Sequence, residues 1–261
     1  MIKRNLTLIN IVVLLLLMLY LYEVIKISKY SIENFQHKRE SYRQYGDFYF
    51  YYKATLRFIA NPLFLYKNEN MLKFAEYVYP PLGILLFFPF TVLNETVAYF
   101  LFLLVSAFSG GLAAWLVVAS RRRPPAEEPI RWQVVAVFIL LVMTSGPFFS
   151  NFVAVQINLI VLCFCCAAIF LGFRSFNICG GLLLALACWM KIYPGLLLVT
   201  MLSVASLRAT GIAAIVWAIV LPIVLIWWFP LDLYSFYFLK ALPEMAKHAE
   251  VQIDTSRLRP D

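Results

Sequence analysis

The sequence predicts an all-α integral membrane protein, a polytopic helical bundle of about seven spanning helices with further juxtamembrane helices in one large loop. Three observations carry this. Of 261 residues, 63% are apolar and 14% are charged, with a mean hydropathy of +0.81; soluble domains carry about 25% charged residues. The apolar residues gather into runs close to the roughly 20 residues that cross a bilayer as a helix. The basic residues flank these runs and form no stripe of their own, so the net charge of +8 argues for membrane lipids and against nucleic acid as a partner.

Taken in order, the predicted spans are 6–25, 96–119, 131–149, 157–173, 177–191, 194–208 and 211–229. The first follows a basic start, as a signal peptide would. Glu23, Lys26 and Lys29 come after it with no small-residue cleavage site, so it reads as an uncleaved anchor. The run at 177–208 is broken only by Lys191-Ile192-Tyr193-Pro194. Proline removes a helix donor and biases its predecessor away from helix, so this reads as a tight corner between two short spans. Residues 80–93, PPLGILLFFPFTVL, are apolar but too short to span and carry three prolines; a juxtamembrane or re-entrant helix is expected there.

Orientation follows from the short loops. Arg121, Arg122, Arg123, Arg131, Arg174 and Arg208 fall on one face by parity, and the opposite turns hold only Lys191. The N-terminus is therefore expected in the cytoplasm and the long loop 26–79 outside the cell membrane. No linker divides the chain, which reads as one domain over 1–261, and no inverted repeat of the transporter kind is visible.

The five cysteines, Cys163, Cys165, Cys166, Cys179 and Cys188, lie within apolar runs without CxxC spacing and read as small core residues. His37 and His248 have no acidic or cysteine partners at ligand spacing, so no metal is assigned to either. No GxGxxG, P-loop, HExxH or GxSxG occurs, which disfavours a nucleotide-sugar donor. No cofactor is expected.

Among the acids of loop 26–79, Asp47 stands apart. It follows Gly46 and opens a run with helical capacity, placing Tyr51 one turn on along the same face. Two readings are open: a cap on a membrane-surface helix, or a general base at the membrane surface. Lys191 is the lone cation in a long apolar stretch. Such a group either meets a phosphate or snorkels to the headgroups. Gln156 and Asn158, two apart at the start of a span, are expected on different helix faces, so that one at most meets a substrate while the other bonds a neighbouring helix. Tyr79-Pro80-Pro81 reads as a rigid elbow returning the loop to the bilayer, with Tyr79 able to line an acceptor site.

Asp47 with Tyr51, Tyr66, Tyr79-Pro80-Pro81 with Pro89, Gln156-x-Asn158 and Lys191-x-x-Pro194 follow one another in an order that resembles glycosyltransferase family 87, the polyprenyl-phosphate-mannose-dependent mannosyltransferases of the GT-C superfamily. The resemblance runs over residues 1 to about 240. It implies a GT-C-like bundle and an α-(1-2)-mannosyltransferase-like enzyme. Such an enzyme takes mannose or a related hexose from a polyprenyl phosphate at the outer face and passes it, with inversion, to a lipid or glycan acceptor. Asp47 would be the base, and Tyr51, Tyr79, Gln156, Asn158 and Lys191 would contact substrate. Family members look longer, and the polar tail that begins at Met245 lacks the expected stretch, so a C-terminally truncated chain is expected, with an inactive fragment as one outcome. A polytopic transporter or non-catalytic scaffold is the alternative from another class.

Overall fold

A computed structural model of the chain describes residues 47–66, 77, 79–120 and 145–243, with Met18 and Tyr22 also placed. The expected span 6–25 apart from those two residues, most of 131–149, most of loop 26–79, both histidines and the tail lie outside the described residues. What is described is helical throughout. α1 is Asp47–Ala60, followed by a single 3-10 turn at Pro62–Phe64 and a longer 3-10 helix at Pro81–Val92. Then come α2 (Glu95–Ala119), α3 (Gly146–Val153), α4 (Asn158–Phe173), α5 (Asn177–Met190), α6 (Gly195–Ser203) and α7 (Arg208–Val224). α8 (Leu231–Phe236) runs on into a π turn at Tyr237–Ala241.

α2 starts where Asn94 caps it, the side chain accepting the Val97 N–H at 2.9 Å, with Glu95 in the first turn to complement the helix dipole. Its 25 residues make it the one helix among those described that is long and apolar enough to cross a membrane. α4, α5 and α7 coincide closely with expected spans but are shorter, at 16, 14 and 17 residues. The expected span 194–208 is realised as a nine-residue helix, about 14 Å long at 1.5 Å per residue. It ends because Val204 turns extended, at φ −89° and ψ 115°. The hydroxyls of Thr200 and Ser203 meanwhile bond carbonyls four residues back, a local alternative that weakens helices.

The corner at Lys191–Pro194 forms as the sequence indicates: Lys191 is extended at φ −147° and ψ 147°, and Pro194 sets the start of α6. α6 carries the chain back so that α5 and α7 lie parallel. Thr210 meets Asn177 at 2.7 Å near the start of both, and the Trp189 indole N–H donates to the Ala218 carbonyl at 3.2 Å further along. Gly181 allows this closeness, since a Cβ there would lie 2.5 Å from that of Ala213.

The bundle therefore has two distinct ends. Trp115 packs on Phe170 near the C-termini of α2 and α4, and a Cβ on Gly172 would touch Thr210 and Leu207. Ser120, Arg174 and Arg208 thus share one end. At the other end lie Asn94, Asn158 and Lys191, together with α1, whose Lys53 pairs with Glu95 at 3.1 Å. This second end holds an aromatic core. Phe48 is fully buried against the rings of Phe87, Phe90, Tyr99 and Phe102, the last at 4.9 Å between centroids.

The 12-residue 3-10 helix is long for its kind, and its prolines at 81 and 89 withhold donors from an α-helical ladder. Its start is fastened by Gly83, where a Cβ would stand 3.1 Å from the Trp189 carbonyl oxygen and 3.4 Å from Met190 Cα. Its far end meets α1, the Tyr52 hydroxyl donating to the Leu93 carbonyl at 2.9 Å. Both ends of this segment thus lie at the aromatic end of the bundle, next to the residue that follows Met190.

Candidate active site

That residue is Lys191, and the groups around it come from four separate parts of the chain. Asp47 opens α1, and its backbone N–H donates to the Ala154 carbonyl at 3.0 Å, tying the helix start to the turn between α3 and α4. One turn on, the Tyr51 hydroxyl reaches the Asp47 carboxylate at 3.2 Å, as the i, i+4 spacing requires. The Tyr51 and Tyr79 hydroxyls are 2.7 Å apart. An ionised carboxylate only accepts, so Tyr51 gives its proton to Asp47 and is free to accept from Tyr79.

Tyr79 is placed from behind: its carbonyl accepts the Tyr66 hydroxyl at 2.6 Å, while the Tyr77 hydroxyl donates to the Pro80 carbonyl at 3.1 Å. The elbow is thus rigid through buried tyrosines as well as prolines. Lys191 lies with its ammonium 5.0 Å from the Tyr79 ring centre and 5.9 Å from that of Tyr193, within the range of a cation–π contact. The sequence reasoning singled out neither Tyr77 nor Tyr193; Tyr193 sits inside the Lys-x-x-Pro corner and could have been read from it.

Gln156 and Asn158 are brought together, against the expectation that their spacing sends them to different faces. α4 begins only at Asn158, and Gln156 lies in the preceding turn, where helical periodicity does not apply. The Asn158 Nδ2 donates to Gln156 Oε1 at 2.6 Å and to the Oδ1 of Asn151, a residue the sequence reading passed over. Val155 makes this possible with a left-handed backbone at φ 51°, a costly conformation for a β-branched residue.

Burial pushes the Asp47 carboxyl above the ordinary carboxylate range; the Tyr51 hydrogen bond, the charge of Lys191 and the Gln156 side chain act against this. Tyr79 is pushed up to about 12, chiefly by burial, so it remains a neutral donor. The result is a half-buried carboxylate with basicity raised and a proton-accepting oxygen near a cation. Such a pair can remove a proton from a hydroxyl and stabilise an anionic leaving group.

A model of glycosyltransferase family 87 matches residues 77–259, well over half of the chain. The chain belongs to glycosyltransferase family 87. It is therefore a glycosyltransferase, of a family of membrane enzymes, acting on a sugar donor and an acceptor. The family 87 match takes in Tyr79, Gln156, Asn158 and Lys191 and starts downstream of Asp47 and Tyr51, whose place in the site rests on the contacts above. Neither the curated proteins nor the solved structures provide a match to the chain.

Proposed function

We propose that this family 87 glycosyltransferase moves mannose, or a related hexose, from a polyprenyl phosphate to a hydroxyl of a lipid-linked or glycan acceptor at the outer face of the cell membrane. The observation that carries this reading is the Asp47 carboxylate, held by Tyr51 beside Lys191 at the end of the bundle opposite Arg174 and Arg208. Arginine is retained in the cytoplasm, which supports a carboxylate at the outer face, where a lipid-borne phosphate would lie.

The chemistry follows from the groups. Asp47 takes the proton of the acceptor hydroxyl as its oxygen attacks the anomeric carbon. The bond from that carbon to the phosphate oxygen breaks, and its electron pair leaves with the phosphate. The polyprenyl phosphate released from the donor diester is a good leaving group, so one carboxylate suffices and no general acid is needed. Lys191, with no carboxylate closer than Asp47 to neutralise it among the described residues, balances the charge on the departing phosphate. Tyr79 borders the acceptor side, and Gln156 is near enough to the carboxylate to meet sugar hydroxyls. A single displacement inverts the anomeric centre.

The test is transfer by the purified protein from polyprenyl-phosphate mannose to membrane acceptors, with the anomeric configuration of the product read by NMR. Transfer with inversion is expected; retention, or no turnover with any polyprenyl-phosphate hexose, would contradict the proposal.

A further inference from the structure

The turn between α3 and α4 holds three amides whose orientations are not free. The Asn151 Nδ2 donates to the Pro147 carbonyl at 2.7 Å, and a carbonyl can only accept. Asn151 must then present Oδ1 to its other neighbour. That neighbour is Asn158, which answers with Nδ2 and uses the same nitrogen's second proton on Gln156 Oε1. With Oε1 committed, Gln156 has only its NH2 group left for other partners. The backbone repeats the tie, the Gln156 N–H donating to the Asn151 carbonyl at 3.0 Å, and Asp47 is held to Ala154 two residues away. The tie from Asp47 to Ala154 brings the Gln156 side chain up beside the Asp47 carboxylate, whose acidity its amide raises.

One cost marks this arrangement as fixed. Asn158 Oδ1 is buried without a partner among the described residues, an expensive state for an amide. Turning the amide over would not relieve it, because Oδ1 would then face two other carbonyl oxygens. The left-handed Val155 adds a second cost at the same turn.

We infer that Asn158, polarised by Asn151, is a positioning residue: it locks the Gln156 amide so that a donor N–H, and never the carbonyl, faces the Asp47 carboxylate. Its importance for catalysis rests on the reading of Asp47 as the base. The groups facing that carboxylate are Tyr51 from α1, Lys191 from the α5–α6 corner and Gln156 from this turn, with Tyr79 behind Tyr51. Of these, Gln156 is the amide, which would present a carbonyl oxygen if it turned over.

The experiment follows the titration of Asp47 by carbon-13 NMR in full-length protein labelled at the aspartate carboxyls, of which the chain has four, with Asp47→Asn supplying the assignment. Asn158→Leu is expected to move the midpoint upward, leaving about threefold more of the acid protonated at a given pH. Gln156→Leu should do the same, and the double variant should add nothing further. Should Asn158→Leu fail to fold, Asn151→Leu releases the same amide from a less buried position and should shift the titration in the same direction. An unmoved midpoint in the folded Asn158 or Asn151 variant, or shifts that add in the double variant, would overturn the inference. The readout is independent of turnover, so it stands even if Asp47→Asn keeps full activity, the result that would defeat the base reading alone.

Discussion

At the scale of single residues, the site turns on a carboxylate made more basic by burial and kept usable by neighbours. Tyr51→Phe removes the hydroxyl bonded to Asp47 while keeping the ring stack. Hydrogen bonds to charged groups contribute about 1.5–3 kcal/mol, so transfer measured at mildly acid pH should drop about tenfold or more, with partial recovery as pH rises. The same burial has a stability consequence. A carboxyl whose folded value lies above the ordinary 3.8 lends stability that is full below 3.8 and is lost as pH rises through the folded value. Asp47→Asn cannot ionise, so its melting temperature should climb relative to the parent as pH is raised from about 4 toward neutral. A gap that narrows over that range would contradict the burial argument. The i, i+4 pairing of Asp47 with Tyr51 was legible in the sequence because a helix period fixes it. The convergence of Gln156, Asn158 and Asn151 was not, since it depends on a left-handed valine in a stretch, NFVAVQIN, without glycine to announce a turn.

At the scale of elements, the site is held by two close approaches, each secured by a glycine. Gly83 seats the 3-10 helix on the end of α5, and Gly181 lets α5 lie against α7. Overpacking costs about 1–3 kcal/mol. Gly181→Val, whose Cβ would meet backbone atoms of α7 at 2.7 Å, should therefore lower the thermal midpoint measurably. Gly146→Ala, with nothing within 4 Å of the new carbon among the described residues, should be neutral or slightly stabilising. Equal effects at the two positions would contradict the packing described. Helix α2 and the corner at Lys191–Pro194 were readable from run length and proline. The short α6 was not, because apolar composition marks where a chain prefers lipid and does not mark where Val204 leaves the helix.

At the scale of the whole molecule, the sequence and the fold agree on polarity. Arg174 and Arg208 come to one end of the bundle together with Ser120, and Asp47, Tyr79 and Lys191 come to the other. In a cysteine-free background, a membrane-impermeant thiol reagent applied to intact cells should label Asn61→Cys and spare Ser175→Cys; the reverse pattern would invert the topology. The family membership makes the protein a glycosyltransferase, and the central claim is that Asp47 is the base that makes it one. The most direct measurement is turnover of Asp47→Asn with polyprenyl-phosphate mannose, in protein shown to be folded and present at parental levels. A general base contributes about 10²–10⁴-fold, so transfer should fall by that factor. Asparagine caps a helix about as well as aspartate, so turnover equal to the parent's would leave Asp47 as a structural residue and contradict the account.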